Sequence, residues 1–175
     1  MLRRKNTPRR LGKGQAYMDT EAFDRHAHLH GYFIEDLSVG MKASYAKTIT
    51  EADIVIFAGI SGDNNPLHLN EEFARDSMFK GRIAHGMLTA VFISTVLGTK
   101  LPGPGCIYLN QEVKFLAPVR PGETVLTEVT IADINLEKSR AVAKSICTVA
   151  GKPVVEGVST LLVPSRNKMK KRQAA

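Results

Sequence analysis

Residues 83 to 98 read Ile83-Ala84-His85-Gly86-Met87-Leu88-Thr89-Ala90-Val91-Phe92-Ile93-Ser94-Thr95-Val96-Leu97-Gly98. If this segment coils, apolar side chains fall on nearly every face, and a helix of that kind is buried on most sides. It is shorter than the roughly 20 residues a membrane span needs, so it is expected in the core. Gly98 and the run Pro102-Gly103-Pro104-Gly105 end it. Downstream the pattern changes to β-type runs at Cys106 to Phe115, Thr124 to Ile134, Ser139 to Val149 and Val154 to Val163. Val125, Thr127, Val129 and Ile131 alternate as one face of an antiparallel sheet with one side covered. Upstream, Ala43 to Ile49 alternates weakly as a first strand. Thr50 with Glu51 and Asp53 then marks a helix start, because a hydroxyl cap and early acids complement free backbone N–H groups. That helix runs to Gly62, and Asn70 opens another short turn to Asp76. One long helix wrapped by an antiparallel sheet is the simplest packing, an α+β class, with no internal repeat.

The chain has 175 residues, 43% of them hydrophobic, which suits one domain with an ordinary core. Its net charge of +7 points at first to a polyanion partner. The distribution argues otherwise. Residues 1–13 hold six Lys/Arg and residues 166–175 hold five, with no acid in either, so the remaining body is net acidic. The basic tails lack interleaved aromatics, so neither a specific nucleic-acid partner nor a membrane partner is expected. Residues 1–31 are expected to be a disordered basic leader, 32–164 the folded domain, and 165–175 a basic tail. His26, His28 and His30 have metal-ligand character, but no Cys or carboxylate cluster completes a site, and a solvated segment is the simpler reading. Cys106 and Cys147 lack a CxxC spacing or an adjacent base, and no apolar signal region follows the N-terminus, so a reducing cytoplasm is the default.

The chemistry concentrates just before the long helix, in Phe57-Ala-Gly-Ile-Ser61-Gly62-Asp63-Asn64-Asn65-Pro66-Leu67-His68. Asp and His are the usual groups for moving a proton near neutral pH. Five residues along a helix would point them well apart, so a loop must bring them together. Gly62 permits the turn, and Pro66 breaks any helix and presets the chain. So many polar groups between apolar helices would be costly without mutual hydrogen bonds or a polar ligand.

The stretch Phe57-x₃-Ser61-Gly62-Asp63-x-Asn65-Pro66-Leu67-His68-x₅-Ala74, followed by Gly81-Arg82-Ile83-Ala84-His85-Gly86-Met87, resembles the MaoC-like, (R)-specific enoyl-CoA hydratase family. Leu101 to Gly105, Tyr108 to Gln111, and Phe115-x₂-Pro118-Val119-x-Pro121-Gly122-Glu123 add to the likeness, which covers about residues 40–164. The resemblance implies a hot-dog fold, a sheet wrapped round a central helix. It also implies a homodimer or higher homo-oligomer with substrate at the subunit interface, acting in fatty acid metabolism. The implied reaction is reversible hydration of a trans-2-enoyl-CoA to the (3R)-3-hydroxyacyl-CoA, with no metal and no cofactor beyond the coenzyme A of the substrate. A dehydratase or thioesterase acting on another acyl thioester is the alternative. Asp63 and His68 match the catalytic pair, with the division of proton transfers between them open.

Attack at C3 pushes charge onto the thioester oxygen, and first-turn N–H groups of a helix are free to receive it. By resemblance the Gly86 amide is that donor; the alternative is that Gly86 merely permits close packing. Ser61 and Asn65 either orient the pair or stabilise the loop. Arg82 is a candidate for the phosphates of coenzyme A or a solvated surface group, Met87 is core or acyl-pocket lining, and His85 is expected to be structural, satisfied by a backbone partner.

Overall fold

In a computed structural model, residues 25–168 are described; the expected leader up to residue 24 and the tail from residue 169 lie outside the described residues. Five strands form one antiparallel sheet in the order β1-β3-β4-β5-β2, with β1 at Lys42–Thr48, β2 at Ile107–Phe115, β3 at Thr124–Asn135, β4 at Arg140–Val149 and β5 at Lys152–Leu162. Between β1 and β2 in the chain lie the α-helices α1 (Glu51–Ser61), α2 (Pro66–Leu69), α3 (Glu71–Asp76) and α4 (Gly86–Thr99), and two 3-10 turns, Ala27–Leu29 and Ile34–Asp36, precede β1. This is the α+β arrangement expected from the sequence.

The inner face of the sheet is the alternating one. Val125, Thr127, Val129 and Ile131 of β3 are fully buried, as are Ala141, Ala143 and Cys147 of β4 and Leu161 of β5. Against them α4 places Leu88, Phe92, Ile93, Val96 and Leu97. Each such side chain contributes about 1.5–3 kcal/mol relative to exposure. Phe92 meets the ring of Tyr45 on β1 edge-on at 5.7 Å between centroids.

Two expectations change. The long helix begins at Gly86 rather than Ile83, because the N–H groups of Ile83 and Ala84 are bonded across to the carbonyls of Leu67 and Val119. It is also not buried all round: Met87, Val91, Ser94 and Gly98 form an exposed stripe at helical spacing. In addition, Pro66 opens a helical turn instead of stopping one. Its fixed φ suits the first helical position, and Asn65 Oδ1 caps the turn by accepting the Leu67 N–H at 3.1 Å.

Both ends of the described chain pack on the body. Gly31 and Tyr32 donate to the carbonyls of Pro104 and Pro102. The Arg166 guanidinium lies 4.4 Å from the Phe33 ring centroid and pairs with Asp36 at 2.8 Å.

Helix α1 starts as its sequence requires. Thr50 Oγ1 accepts the Asp53 N–H at 3.1 Å, and Asp53 Oδ2 accepts from the Thr50 N–H at 2.8 Å, the Thr50 hydroxyl at 2.7 Å and Lys47 Nζ at 2.9 Å. The Thr50 hydroxyl, then Lys47, then the Thr50 amide hold the Asp53 carboxyl down to about 2, from an ordinary 3.8. A depressed carboxylate stabilises the fold above its unfolded pKa and loses that contribution as pH falls through the folded one. The expected outcome for Asp53→Asn is a lower urea midpoint than wild type at pH 7. The gap should close between about pH 4 and 2, read as midpoints across a pH series.

Candidate active site

The loop from Ser61 to His68 is a chain of short-range side chain to backbone bonds. Gly62 ends α1 in the left-handed region, at φ 77°. Ser61 Oγ donates back to the Phe57 carbonyl at 2.6 Å and accepts the Asp63 N–H at 3.2 Å. Asp63 Oδ1 accepts the Asn65 N–H at 3.3 Å, an Asx turn. Ser61 and Asn65 therefore act on the loop backbone, which fixes where the Asp63 and His68 side chains stand.

His68 sits in the one-turn helix α2 and is 8% exposed. Its Nδ1 is 2.9 Å from the Ile83 carbonyl. A carbonyl only accepts, so Nδ1 carries the hydrogen, and the neutral ring presents Nε2 as a lone pair. Conversely, His85 in the segment before α4 donates from Nε2 to the Asp63 carbonyl at 2.9 Å. The two rings are in contact at a tilt, 3.8 Å between centroids and 34° between planes. His85 thus has the backbone partner expected of it.

One ligand atom each from Asp63, His68 and His85 lie within 4.8 Å of one another. Asp63 and His68 are therefore close enough for one water oxygen to stand about 2.8 Å from both, ordinary hydrogen-bond reach. Two histidines and a carboxylate are also a metal-binding composition. Here one nitrogen of each ring is committed to a carbonyl.

Gly86 is the first residue of α4. The first acceptor on the helix, the His85 carbonyl, takes the N–H groups of Leu88 at 3.1 Å and Thr89 at 3.3 Å, which leaves those of Gly86 and Met87 without a helical acceptor. A Cβ at residue 86 would lie 2.9 Å from Cδ1 and Cε1 of Phe115, so only glycine lets this backbone sit against that ring. His68, Gly86 and Thr89 share a cleft of about 360 Å³ whose other walls are apolar, with Met78, Phe79, Ile83, Phe115, Leu116 and Val119 prominent. A larger depression of about 490 Å³ on the outer face of the sheet carries charges of both signs, among them Glu112, Lys114, Glu128 and Lys144, and no histidine.

Two expected site residues stand apart from this cluster. Arg82 makes two 2.8 Å bonds to Glu51 and a 3.2 Å bond from Nε to Glu71. Those carboxylates, at the first positions of α1 and α3, raise its pKa further. It thus bridges two helix starts and is not the freely solvated group that is one of the two readings of it. Met87 is 56% exposed and points away from the core, and it is not among the residues lining the cleft. Periodicity alone does not mark Phe79, Phe115 and Leu116 as cleft walls, because they come from a loop and a strand end. The only signal near them is the Phe115-x₂-Pro118 match.

Residues 37–158, more than half of the chain, match the MaoC like domain. The chain is 56% identical over 135 residues to the (R)-specific enoyl-CoA hydratase of Rhodospirillum rubrum, covering 77% of this chain and 94% of that protein. It is 45% identical over 134 residues to the 3-hydroxybutyryl-CoA dehydratase of Methylorubrum extorquens, covering 77% and 85%. Among solved structures, the R-hydratase of Pseudomonas aeruginosa in its unliganded form superposes with a TM-score of 0.73 at 40% identity, over 78% of this chain and 88% of that one. The (R)-hydratase of Aeromonas caviae involved in PHA biosynthesis superposes with a TM-score of 0.72 at 37% identity, over 74% and 99%. With the sheet wrapped on α4 and the loop of Asp63 and His68 facing its N-terminus, the fold is the hot-dog fold and the chain belongs to the MaoC-like dehydratase family.

Proposed function

We propose that this protein is an (R)-specific enoyl-CoA hydratase, adding water reversibly to a trans-2-enoyl-CoA to give the (3R)-3-hydroxyacyl-CoA. The observation that carries the reading is the convergence of Asp63 and His68 beside the free Gly86 amide, at an apolar cleft. The relatives' printed activities support it, since a hydratase and a dehydratase run one reaction in opposite directions.

In this reading the thioester oxygen lies against the Gly86 N–H and the acyl chain occupies the cleft. Water sits between Asp63 and His68. His68 Nε2, the lone-pair nitrogen, accepts a water proton as oxygen attacks C3, while Asp63 accepts the other hydrogen bond and stabilises the imidazolium. The electron pair of the double bond moves towards the thioester, where the amide receives the charge, and C2 then takes a proton from the carboxylate–imidazole pair. An oxyanion donor of this kind is worth about 3 kcal/mol. The chemistry is proton transfer and asks for no electron carrier.

The reading includes a homodimer. The exposed stripe of Met87 and Val91 on α4 and the edge strand β2, with Leu109 46% and Phe115 50% exposed, form apolar surface beside the cleft that a second copy would cover. It also places the protein in the cytoplasm, consistent with Cys106 and Cys147 as free thiols. Among the described residues no helix is long and apolar enough to cross a membrane.

Hydration of crotonyl-CoA, followed as loss of enoyl-thioester absorbance with chiral analysis of the product, tests the reading. Asp63→Asn and His68→Ala are each expected to lower kcat/KM by about 10³-fold while leaving the circular dichroism spectrum intact. Unchanged rates in both, or release of free thiol with no 3-hydroxy product, would overturn it. Gly86→Ala presses a methyl on the Phe115 ring at 2.9 Å, so the backbone that carries the amide must shift against that ring. The expected result is a drop in kcat/KM of about 100-fold. Light scattering after gel filtration is expected to give at least twice the chain mass.

A further inference from the structure

His85 is 1% exposed and takes no proton in the reaction as written above. Its ring donates from Nε2 to the carbonyl of Asp63, meets the His68 ring at a tilt, and packs 5.0 Å from the Phe57 centroid. Because Nε2 carries the hydrogen, Nδ1 of the neutral ring is an acceptor, and that nitrogen is buried with no partner among the described residues. It does not cap α4 either, although His85 stands at the cap position. The backbone of the same residue organises the helix start, its carbonyl taking the N–H groups of Leu88 and Thr89. One residue therefore holds both halves of the site: the ring holds the main chain of the residue that binds water, and the main chain holds the turn whose amide faces the thioester.

We propose that His85, as the neutral Nε2–H tautomer, is a positioning residue that sets the separation between the Asp63–His68 pair and the Gly86 amide. The inference rests on the hydratase reading. In hydration the reacting C3 and the charged thioester oxygen belong to one rigid conjugated unit, so the two halves of the site must match a fixed length. A displacement of about 1 Å between them costs about 100-fold in rate. A histidine that only filled space could be replaced by phenylalanine with kcat unchanged.

The test uses the full chain with His85→Phe, His85→Gln and His85→Asn, assayed on crotonyl-CoA, and ¹⁵N NMR of the wild-type histidine rings. Glutamine carries an N–H at the depth of Nε2, and asparagine at the depth of Nδ1. The Phe and Asn variants are expected to lose about 100-fold in kcat, with KM within about threefold and the circular dichroism spectrum of the folded protein retained at the assay temperature. The Gln variant should return to within about tenfold of wild type, and the spectra should show the proton on Nε2 of His85 and on Nδ1 of His68. Retained kcat in the Phe variant, a Gln variant no better than Asn, or an Nδ1–H tautomer at His85 would each overturn the proposal. If the Phe variant does not fold, the Gln–Asn comparison and the tautomer decide. A wild-type protein that leaves crotonyl-CoA unhydrated overturns the hydratase reading instead, and the tautomer still judges the bond to Asp63.

Discussion

Two hydrogen bonds, crossing between the same two segments in opposite directions, hold this site together. His68, on the loop, donates to the Ile83 carbonyl of the segment before α4, and His85, on that segment, donates to the Asp63 carbonyl of the loop, both at 2.9 Å. Each bond satisfies a main-chain acceptor with a ring in a defined tautomer, and the rings touch where the segments meet. Losing either would leave a polar group unmet in a buried setting, a cost of about 1–3 kcal/mol. The loop contributes little packing of its own, since residues 61–66 are all exposed. Its shape comes from this clasp, from the glycine turn at Gly62, and from the Ser61 and Asn65 side chains.

The sheet and the long helix are supports for the clasp. Helix α4 is held by side chains that meet the inner face of β3 and its neighbours, so its N-terminus is fixed relative to the whole core. Arg82 anchors the approach to it by bridging the starts of α1 and α3. The residues with chemistry lie on the loop that follows the C-terminal end of α1 and at the start of α4, where first-turn N–H groups lack helical acceptors.

Much of this was legible in the residues. The strand alternation at Val125 to Ile131, the Thr50 cap with Asp53, and the Asn70 cap have local physical causes, and each appears as expected. Asp63 and His68 stood out because a polar loop between apolar helices needs a reason. The start of α4 was harder to see: Ile83 and Ala84 are as apolar as the helix that follows, and their bonds to Leu67 and Val119 are what keep them out of it. Arg82 was illegible for a related reason, since its partners lie 31 and 11 residues away and nothing local marks them. The exposed stripe on α4 escaped the pattern because hydrophobicity states which faces avoid water and not what covers them.

The clasp and the helix start work through main-chain groups: the carbonyls of Ile83 and Asp63 and the amide of Gly86. The cleft is shaped by side chains, Met78, Phe79, Phe115 and Leu116 among them. Backbone groups persist through most substitutions, whereas side-chain volume changes with each one. Divergence at the walls can therefore remodel the size and branching of the accepted acyl group while the chemical step stays as it is, so that one scaffold can serve several chain lengths.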